Sequence, residues 1–263
     1  MILDEKLNFN QHLRTLIDKA NKSINVLRKL RYYIPRKSLI TLYKSFIRSF
    51  LDFANVIFDQ PSNNSFCENL ETIQYNAALA ITGVIRGTSK DKLYKELGLE
   101  YLSSRRRFKR LSMFFKILKN KCPAYLYDLI PQSHNLYNLR NHNLIPEIYC
   151  QTERFKNSFF PYTIREWNKL GLEVTQTSSI SIFRSLLLSS IRPIANNTFD
   201  VFNPHGIKLL TKLRVGLSHL REHKFRHGFN DTLDPLCPCN METKTVSHFF
   251  LRCHFFNAIQ VDL

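Results

Sequence analysis

From Leu13 onward the apolar residues return at alternating intervals of three and four: Leu13, Leu16 with Ile17, Ala20, Ile24 and Leu27. On a helix of 3.6 residues per turn that spacing gathers them into one stripe, and Lys19, Lys22, Arg28 and Lys29 fall mostly outside it. The spacing predicts an amphipathic helix over residues 10–34. Pro35 fits the first turn of a second helix, whose inward face would be Leu39, Leu42 with Tyr43, Phe46, Phe50 and Phe53. Gln60-Pro61-Ser62-Asn63-Asn64 is expected to be a loop. Ser65-Phe66-Cys67-Glu68 then has capping-box spacing, with Phe66, Leu70, Ile73, Ala77 and Ile81 on one face and Gly83 at the close. Ser89 can cap a short helix that stops at Gly98. Residues 104–120 form a longer one, with Phe108, Leu111, Phe115 and Leu118 inward. Only 7 glycines occur in 263 residues, where average usage would give roughly 18, so tight hairpins and glycine-rich phosphate loops have little material. The expected fold is mainly α.

Further along the period weakens. Residues 122–157 are rich in Pro, Asn, Tyr and His and read as irregular with short elements. Residues 161–171 and 179–192 read as short helices, the second ended by Pro193. Asn203 can cap a last helix running through Leu220, and after Gly228 the pattern changes into a cysteine-bearing tail. The organisation expected is a helical bundle over 1–130, an irregular connector with short helices over 131–203, a basic His-rich helix over 204–230 and a small Cys/His tail over 231–263. There is no internal repeat and no low-complexity tract.

Charge narrows the partner. With 38 Lys+Arg against 21 Asp+Glu the chain carries +17, a field that attracts polyanions, nucleic acid first. A merely soluble basic protein is the bland alternative, and no long amphipathic basic terminus suggests a membrane surface. No apolar run nears the roughly 20 residues needed to cross a bilayer. Met1-Ile2-Leu3-Asp4-Glu5 lacks the basic start and apolar stretch of a secretory signal, and the six scattered cysteines do not form a secreted disulfide framework. A reducing compartment, nuclear or cytoplasmic, is expected.

Arg105-Arg106-Arg107, Lys109 and Arg110 crowd one and a half turns, with Lys116 and Lys119 beyond, and no acid falls between Glu100 and Asp128. Phosphate contact is the favoured reading, and a solvated helix face is the alternative. Arg214, Arg221, Lys224 and Arg226 form a second basic set around His219, His223 and His227, which recur every four residues and would share one helix face. Phosphate contact or plain packing suits these histidines better than a metal, since Glu222 would point elsewhere on that helix and no other carboxylate completes a site.

The tail offers Cys237, Cys239, His248 and Cys253 within seventeen residues. Thiolate and imidazole in this number suit a structural, tetrahedral zinc with no open position for catalysis. Unliganded thiols are the alternative, and His254 could compete as a ligand. Metal-dependent phosphoryl transfer needs clustered carboxylates, but no two aspartates are adjacent, and neither a glycine-rich phosphate loop nor a G-x-S-x-G elbow is present.

Several stretches, taken in order, resemble the C-terminal part of jockey-type non-LTR retrotransposon reverse transcriptases. They are Asp4-Glu5-Lys6-Leu7-Asn8-Phe9-Asn10-Gln11-His12; Leu70-Glu71-Thr72-Ile73-Gln74 with Ala77-Ala78 and Ile81-Thr82-Gly83; Leu93-Tyr94-Lys95-Glu96-Leu97-Gly98-Leu99; Phe159-Phe160-Pro161 through Trp167-Asn168-Lys169-Leu170; and Leu213-Arg214-Val215-Gly216-Leu217-Ser218-His219-Leu220-Arg221-Glu222-His223-Lys224-Phe225. The resemblance implies thumb-like helices that hold element RNA as template and target or product DNA, followed by a knuckle-like tail. It also implies an endonuclease and a polymerase palm upstream, where magnesium would serve catalytic aspartates that this chain lacks. A chain of this kind is expected to bind RNA and DNA without polymerase activity of its own. The other readings are a host protein-interaction or structural module derived from a mobile element, or the product of a decayed element.

Overall fold

The computed structural model describes residues 2, 5, 9–59, 61, 63–132, 144–189 and 204–256. Asp4, Lys6, Leu7 and Asn8 of the first resemblance block, the helix stop at Pro193 and the cap at Asn203 lie outside them. Among the described residues the protein is mainly helical, with no strand beyond an isolated bridge in the tail. No described helix is long and apolar enough to cross a membrane.

Helix α1 (Asn10–Leu30) buries Leu13, Leu16, Ala20, Ile24 and Leu27, the stripe its sequence spells out. Helix α2 (Arg36–Leu42) departs from expectation. It runs into a π turn over Tyr43–Ile47, where the Arg48 N–H reaches the Tyr43 carbonyl, and then into α3 (Arg48–Asp52). The wider turn re-registers the face, so the buried residues are Leu39, Tyr43, Ile47 and Leu51, one every four. Phe46 and Phe53, expected inside, are each 64% exposed.

Helix α4 (Asn55–Phe58) is a single turn, and α5 (Asn64–Thr82) lies against α1. Its cap is Asn63, whose side-chain oxygen accepts the Phe66 N–H at 3.0 Å, so Ser65 sits inside the first turn rather than capping it. Gly83, at φ 70°, ends α5 in the left-handed conformation that spares glycine the Cβ penalty. Helix α6 (Lys90–Leu97) follows Ser89, which makes no side-chain cap bond, and stops at Gly98.

Helix α7 (Leu102–Leu118) begins in one core and ends in another. Leu102 joins the residues of α1, α3, α5 and α6, whereas Leu111, Phe114, Phe115 and Ile117 enter a second cluster. That cluster is built with α8 (Ala124–Asp128), α9 (Glu153–Lys156), α10 (Phe159–Asn168), α11 (Leu172–Thr175) and α12 (Ile180–Ser189) as its other helices or close neighbours. Phe183 of α12 stacks on Phe115 at 4.5 Å and on Trp167 of α10 at 5.5 Å. The segment after 130 is therefore more than a connector. It completes a core with the second half of α7, because α7 carries apolar residues on more faces than the one its period singles out.

Helix α13 (Pro204–Val215) returns to the first body, where Val215 and Leu217 are buried in its core. The continuous helix expected through Leu220 is broken by Gly216 at φ 78°, and α14 (Arg221–Arg226) starts separately.

Within the first core lies a polar seam. The Tyr43 hydroxyl donates to Gln74 Oε1 at 2.7 Å, Gln74 Nε2 donates to the Glu100 carbonyl at 2.9 Å, and the Leu102 N–H donates to Glu71 Oε2 at 3.1 Å. Glu71 and Gln74, two members of the second resemblance block, thus clasp the start of α7 and satisfy an orphan helix N–H. Burial pushes the Glu71 carboxyl above its usual range, although bonds from Tyr94 and Leu102 and the charges of Arg106 and Lys90 oppose it. The folded state therefore holds this proton to higher pH than the unfolded chain. The stability it contributes is full below the unfolded value and is lost as pH rises through the folded one. Glu71→Gln, which keeps an oxygen for the Leu102 N–H, is expected to remove that loss. Denaturant midpoints between pH 4 and 7 should show wild type falling relative to the variant as pH rises, and parallel curves would refute the assignment.

Candidate metal centre and basic clusters

The tail is too short to bury an apolar core, and none of residues 231–256 belongs to either hydrophobic cluster. What it does bury is Cys237, Cys253 and His248. A narrow antiparallel turn carries the first two ligands. Leu236 bridges Thr243, the Cys237 N–H donates to the Glu242 carbonyl at 2.9 Å, and Asn240, at φ 58°, returns its N–H to the Cys237 carbonyl at 2.9 Å. The second pair comes from a π turn over His248–Arg252. Thr245 Oγ1 accepts the His248 N–H at 3.1 Å, and the Cys253 N–H reaches the His248 carbonyl at 2.8 Å. The five-residue hydrogen-bonded turn brings His248 and Cys253 together.

The four ligand atoms lie within 4.8 Å of one another. Cys237 Sγ and Cys253 Sγ are 3.6 Å apart, and Cys239 Sγ is 3.2 Å from His248 Nε2. A tetrahedral centre with metal–sulfur bonds near 2.3 Å and metal–nitrogen bonds near 2.0 Å needs about 3.8 and about 3.5 Å between such ligands. The two shortest pairs are within a few tenths of an ångström of these values and the widest separation is up to about 1 Å beyond them, so the group could hold a metal ion after a modest contraction. The thiols are not disulfide-bonded.

Burial alone would push the Cys239 thiol up, but the Met241 N–H and the side chains of Cys237, His248 and Cys253 outweigh it and bring the thiol down to about 6. Burial, with the neighbouring thiols adding to it, pushes Cys237 the other way. The site thus already favours a thiolate at one ligand, the form a metal requires. Glu242 Oε2 stands 3.3 Å from His248 Nδ1 and its other oxygen 3.3 Å from Arg252, although Nδ1 makes no well-aligned hydrogen bond. A carboxylate behind the non-ligating nitrogen is the usual way of fixing a ligand imidazole. Nothing in the sequence separates Glu242 from any other exposed acid; only its position across the turn does. His254, the candidate competitor, is exposed, lies tilted beside Phe255 at 4.5 Å between ring centroids and stands outside the cluster.

The arginine block differs from its sequence reading. Arg105 reaches Asp52 at 2.7 Å and Glu100 at 3.0 Å, and Lys109 lies 3.5 Å from Asp52. Arg106 Nε meets one oxygen of Asp59 at 2.9 Å, Arg110 takes the other, and Arg107 meets Glu166 at 2.6 Å. No acid lies inside the block in sequence, yet tertiary structure supplies four from α3, the α4 exit, the approach to α7, and α10. Arg106 and Arg110 have side chains only 5% exposed and are not available to a polymeric phosphate backbone. Lys116 and Lys119 make no ion pair among the described residues, and Lys119 is exposed beside the Phe115 ring.

In the second basic set Arg214 shares Glu96 with Arg36, each at 3.1 Å. Arg221 lies 3.5 Å from Asp234, Lys224 pairs with Asp231 and Arg226 with Glu222, but Arg221 and Arg226 stay about half exposed. The three histidines do not share a helix face, because α14 is only six residues long. His219 precedes it, His227 follows it, and His223 alone lies on it, buried. Its Nδ1 is 2.6 Å from Ser218 Oγ and accepts the Ser218 N–H at 3.2 Å, while Nε2 lies 3.3 Å from Glu222, which does not point away. Burial, then the charges of His227 and Lys92, holds this imidazole below its usual pKa. His223 is a packing and turn-fixing residue.

No family model, curated protein or solved structure matches this chain.

Proposed function

We propose that the chain is the C-terminal part of a retrotransposon RNA-directed DNA polymerase, in which a thumb-like helical body and a zinc-bearing tail hold template RNA and target or product DNA through phosphates. The observation that carries this reading is the Cys237, Cys239, His248 and Cys253 cluster, whose donor set and spacing suit zinc. It stands at the end of the same ordered blocks that resemble the jockey-type proteins. Zinc would be structural here, since four protein ligands fill a tetrahedral shell.

The residues placed to meet phosphates are Lys116 and Lys119, in no ion pair among the described residues, and Arg221, Lys224 and Arg226, which are not buried and would exchange a surface acid for phosphate. Five contacts predict a log–log salt slope of about −4 to −5 on duplex DNA and a smaller one on single strands. Lys119→Ala and Arg226→Ala are each expected to reduce the slope by about 1, uniformly across sequences. A flat salt dependence would overturn the electrostatic reading, and primer extension on an RNA template by the purified chain would overturn its inactivity.

A second reading is favoured by the internal pairing of Arg105, Arg106, Arg107, Lys109 and Arg110, which makes the densest basic block a structural element. On that reading the chain is a protein-interaction module. Binding to RNA and DNA weaker than about 10⁻⁴ M at physiological salt would select it.

A further inference from the structure

Between α7, α10 and the segment after α4 lies a cavity of about 210 Å³. Arg106, Arg107 and Arg110 line it together with the hydroxyl residues Ser103, Ser104 and Tyr162, and the carboxylates of Asp59 and Glu166 also border it. Three guanidinium groups against two carboxylates leave one positive charge around this space. The imbalance is sharpest at its buried wall, where Arg106 and Arg110 share the single carboxylate of Asp59. Arg110 is only 4% exposed and lies over the Tyr162 ring at 4.7 Å. At the other side, the cavity adjoins the first turn of α7. Leu102 there is satisfied by Glu71, but the N–H groups of the next two residues have no place in the intrahelical ladder. Arg107, with a side chain 38% exposed, stands between the cavity and solvent.

We propose that this cavity seats one phosphate group. A tetrahedral oxyanion is the size of a few water molecules, each about 30 Å³, and fits within this volume with room for water beside it. It would supply the missing negative charge beside the Arg106 and Arg110 guanidinium groups, accept from Arg107, and take hydroxyl donors from Ser103 or Ser104. Guanidinium forks match phosphate geometry better than point charges do. The helix start adds a favourable dipole but does not define the site alone. Asp59 and Glu166 set its limit, since they repel a second anion and leave room for a single group rather than a run of backbone phosphates. That single phosphate is either a free ion or the terminal phosphate of a strand. The second source rests on the nucleic-acid reading given above, whereas the site itself does not.

Ser103→Asp tests the seat without threatening the fold, because Ser103 is exposed and an acid in the first turn of a helix is favourable. In a phosphate-free, low-salt buffer, inorganic phosphate at ten times its dissociation constant is expected to raise the wild-type unfolding midpoint by about 3–5 °C. Ser103→Asp should weaken phosphate at least tenfold, and Lys19→Gln, which changes net charge equally at an exposed helix position, should not. Displacement of phosphate by a short 5′-phosphorylated oligonucleotide, but not by its 5′-hydroxyl twin, would identify a strand end. Displacement by neither would identify the free ion. No shift in wild type, or the same loss in both variants, overturns the seat. Either result leaves the salt-dependent binding of longer nucleic acid standing, and a normal seat with no nucleic-acid binding would overturn only the polymerase reading.

Discussion

Asp59→Ala is expected to lower stability by about 3–5 kcal/mol, the cost typical of stripping one partner from a buried ion pair. The Asp59 side chain is 4% exposed and serves two guanidinium groups at once, Arg106 through one oxygen and Arg110 through the other. Its removal leaves both cations, whose side chains are 5% exposed, without their carboxylate, and Glu166 nearby is already paired with Arg107. Arg110 cannot swing out without giving up its place over Tyr162. Since domains are typically stable by only 5–15 kcal/mol, a loss of this size should move the urea midpoint by a large fraction of its value. Asp59→Asn keeps one acceptor without the charge and is expected to fall between the two. Lys119→Ala, on the surface, should stay within about 0.5 kcal/mol. An unchanged midpoint for Asp59→Ala would mean that the arginines do not depend on internal neutralisation.

The same pairing shows what the sequence hides. An absence of acids between Glu100 and Asp128 suggests charge left free for phosphate, but sequence distance says nothing of Asp52, Asp59 and Glu166, which arrive from other helices. By contrast the stripe of α1 was fully legible, because burial of Leu13 through Leu27 follows directly from a 3.6-residue period. The α2–α3 face was not, since the π turn rests on one hydrogen bond from Arg48 to Tyr43 that has no residue-type signature. At Gly216 the signal existed, a glycine suited to the left-handed conformation, but the apolar period running to Leu220 masked it. Asn63 and Ser65 both had cap chemistry, and only the backbone decided between them. The grouping of Cys237, Cys239, His248 and Cys253 was legible because four soft or borderline donors close in sequence cannot be far apart in space. Glu242, behind His248, belongs to the hidden class with Asp59.

Metal removal should act on the tail alone. Cys237 and Cys253 are fully buried and His248 nearly so, yet their surroundings include no residue of either hydrophobic core. Burial without a share in either hydrophobic core is what metal–ligand bonds would sustain, their apparent worth for structural zinc being about 10–16 kcal/mol at pH 7. Purified chain is expected to contain about one zinc ion, lost in the Cys237→Ser, Cys239→Ser double variant. Chelation should erase the dispersed tail resonances while the thermal transition of the α1–α12 body persists. Because protons compete for thiolate and imidazole, affinity should fall as pH is lowered. Glu242→Gln should weaken zinc by about 10–100-fold by loosening His248, with the ion count unchanged at saturating metal. Zinc retained one-to-one by the double cysteine variant would place the ion elsewhere and leave the buried thiols as packing residues. Loss of the body's transition together with the tail's would show that the two fold as one unit, in which case the metal organises the helices as well as the knuckle.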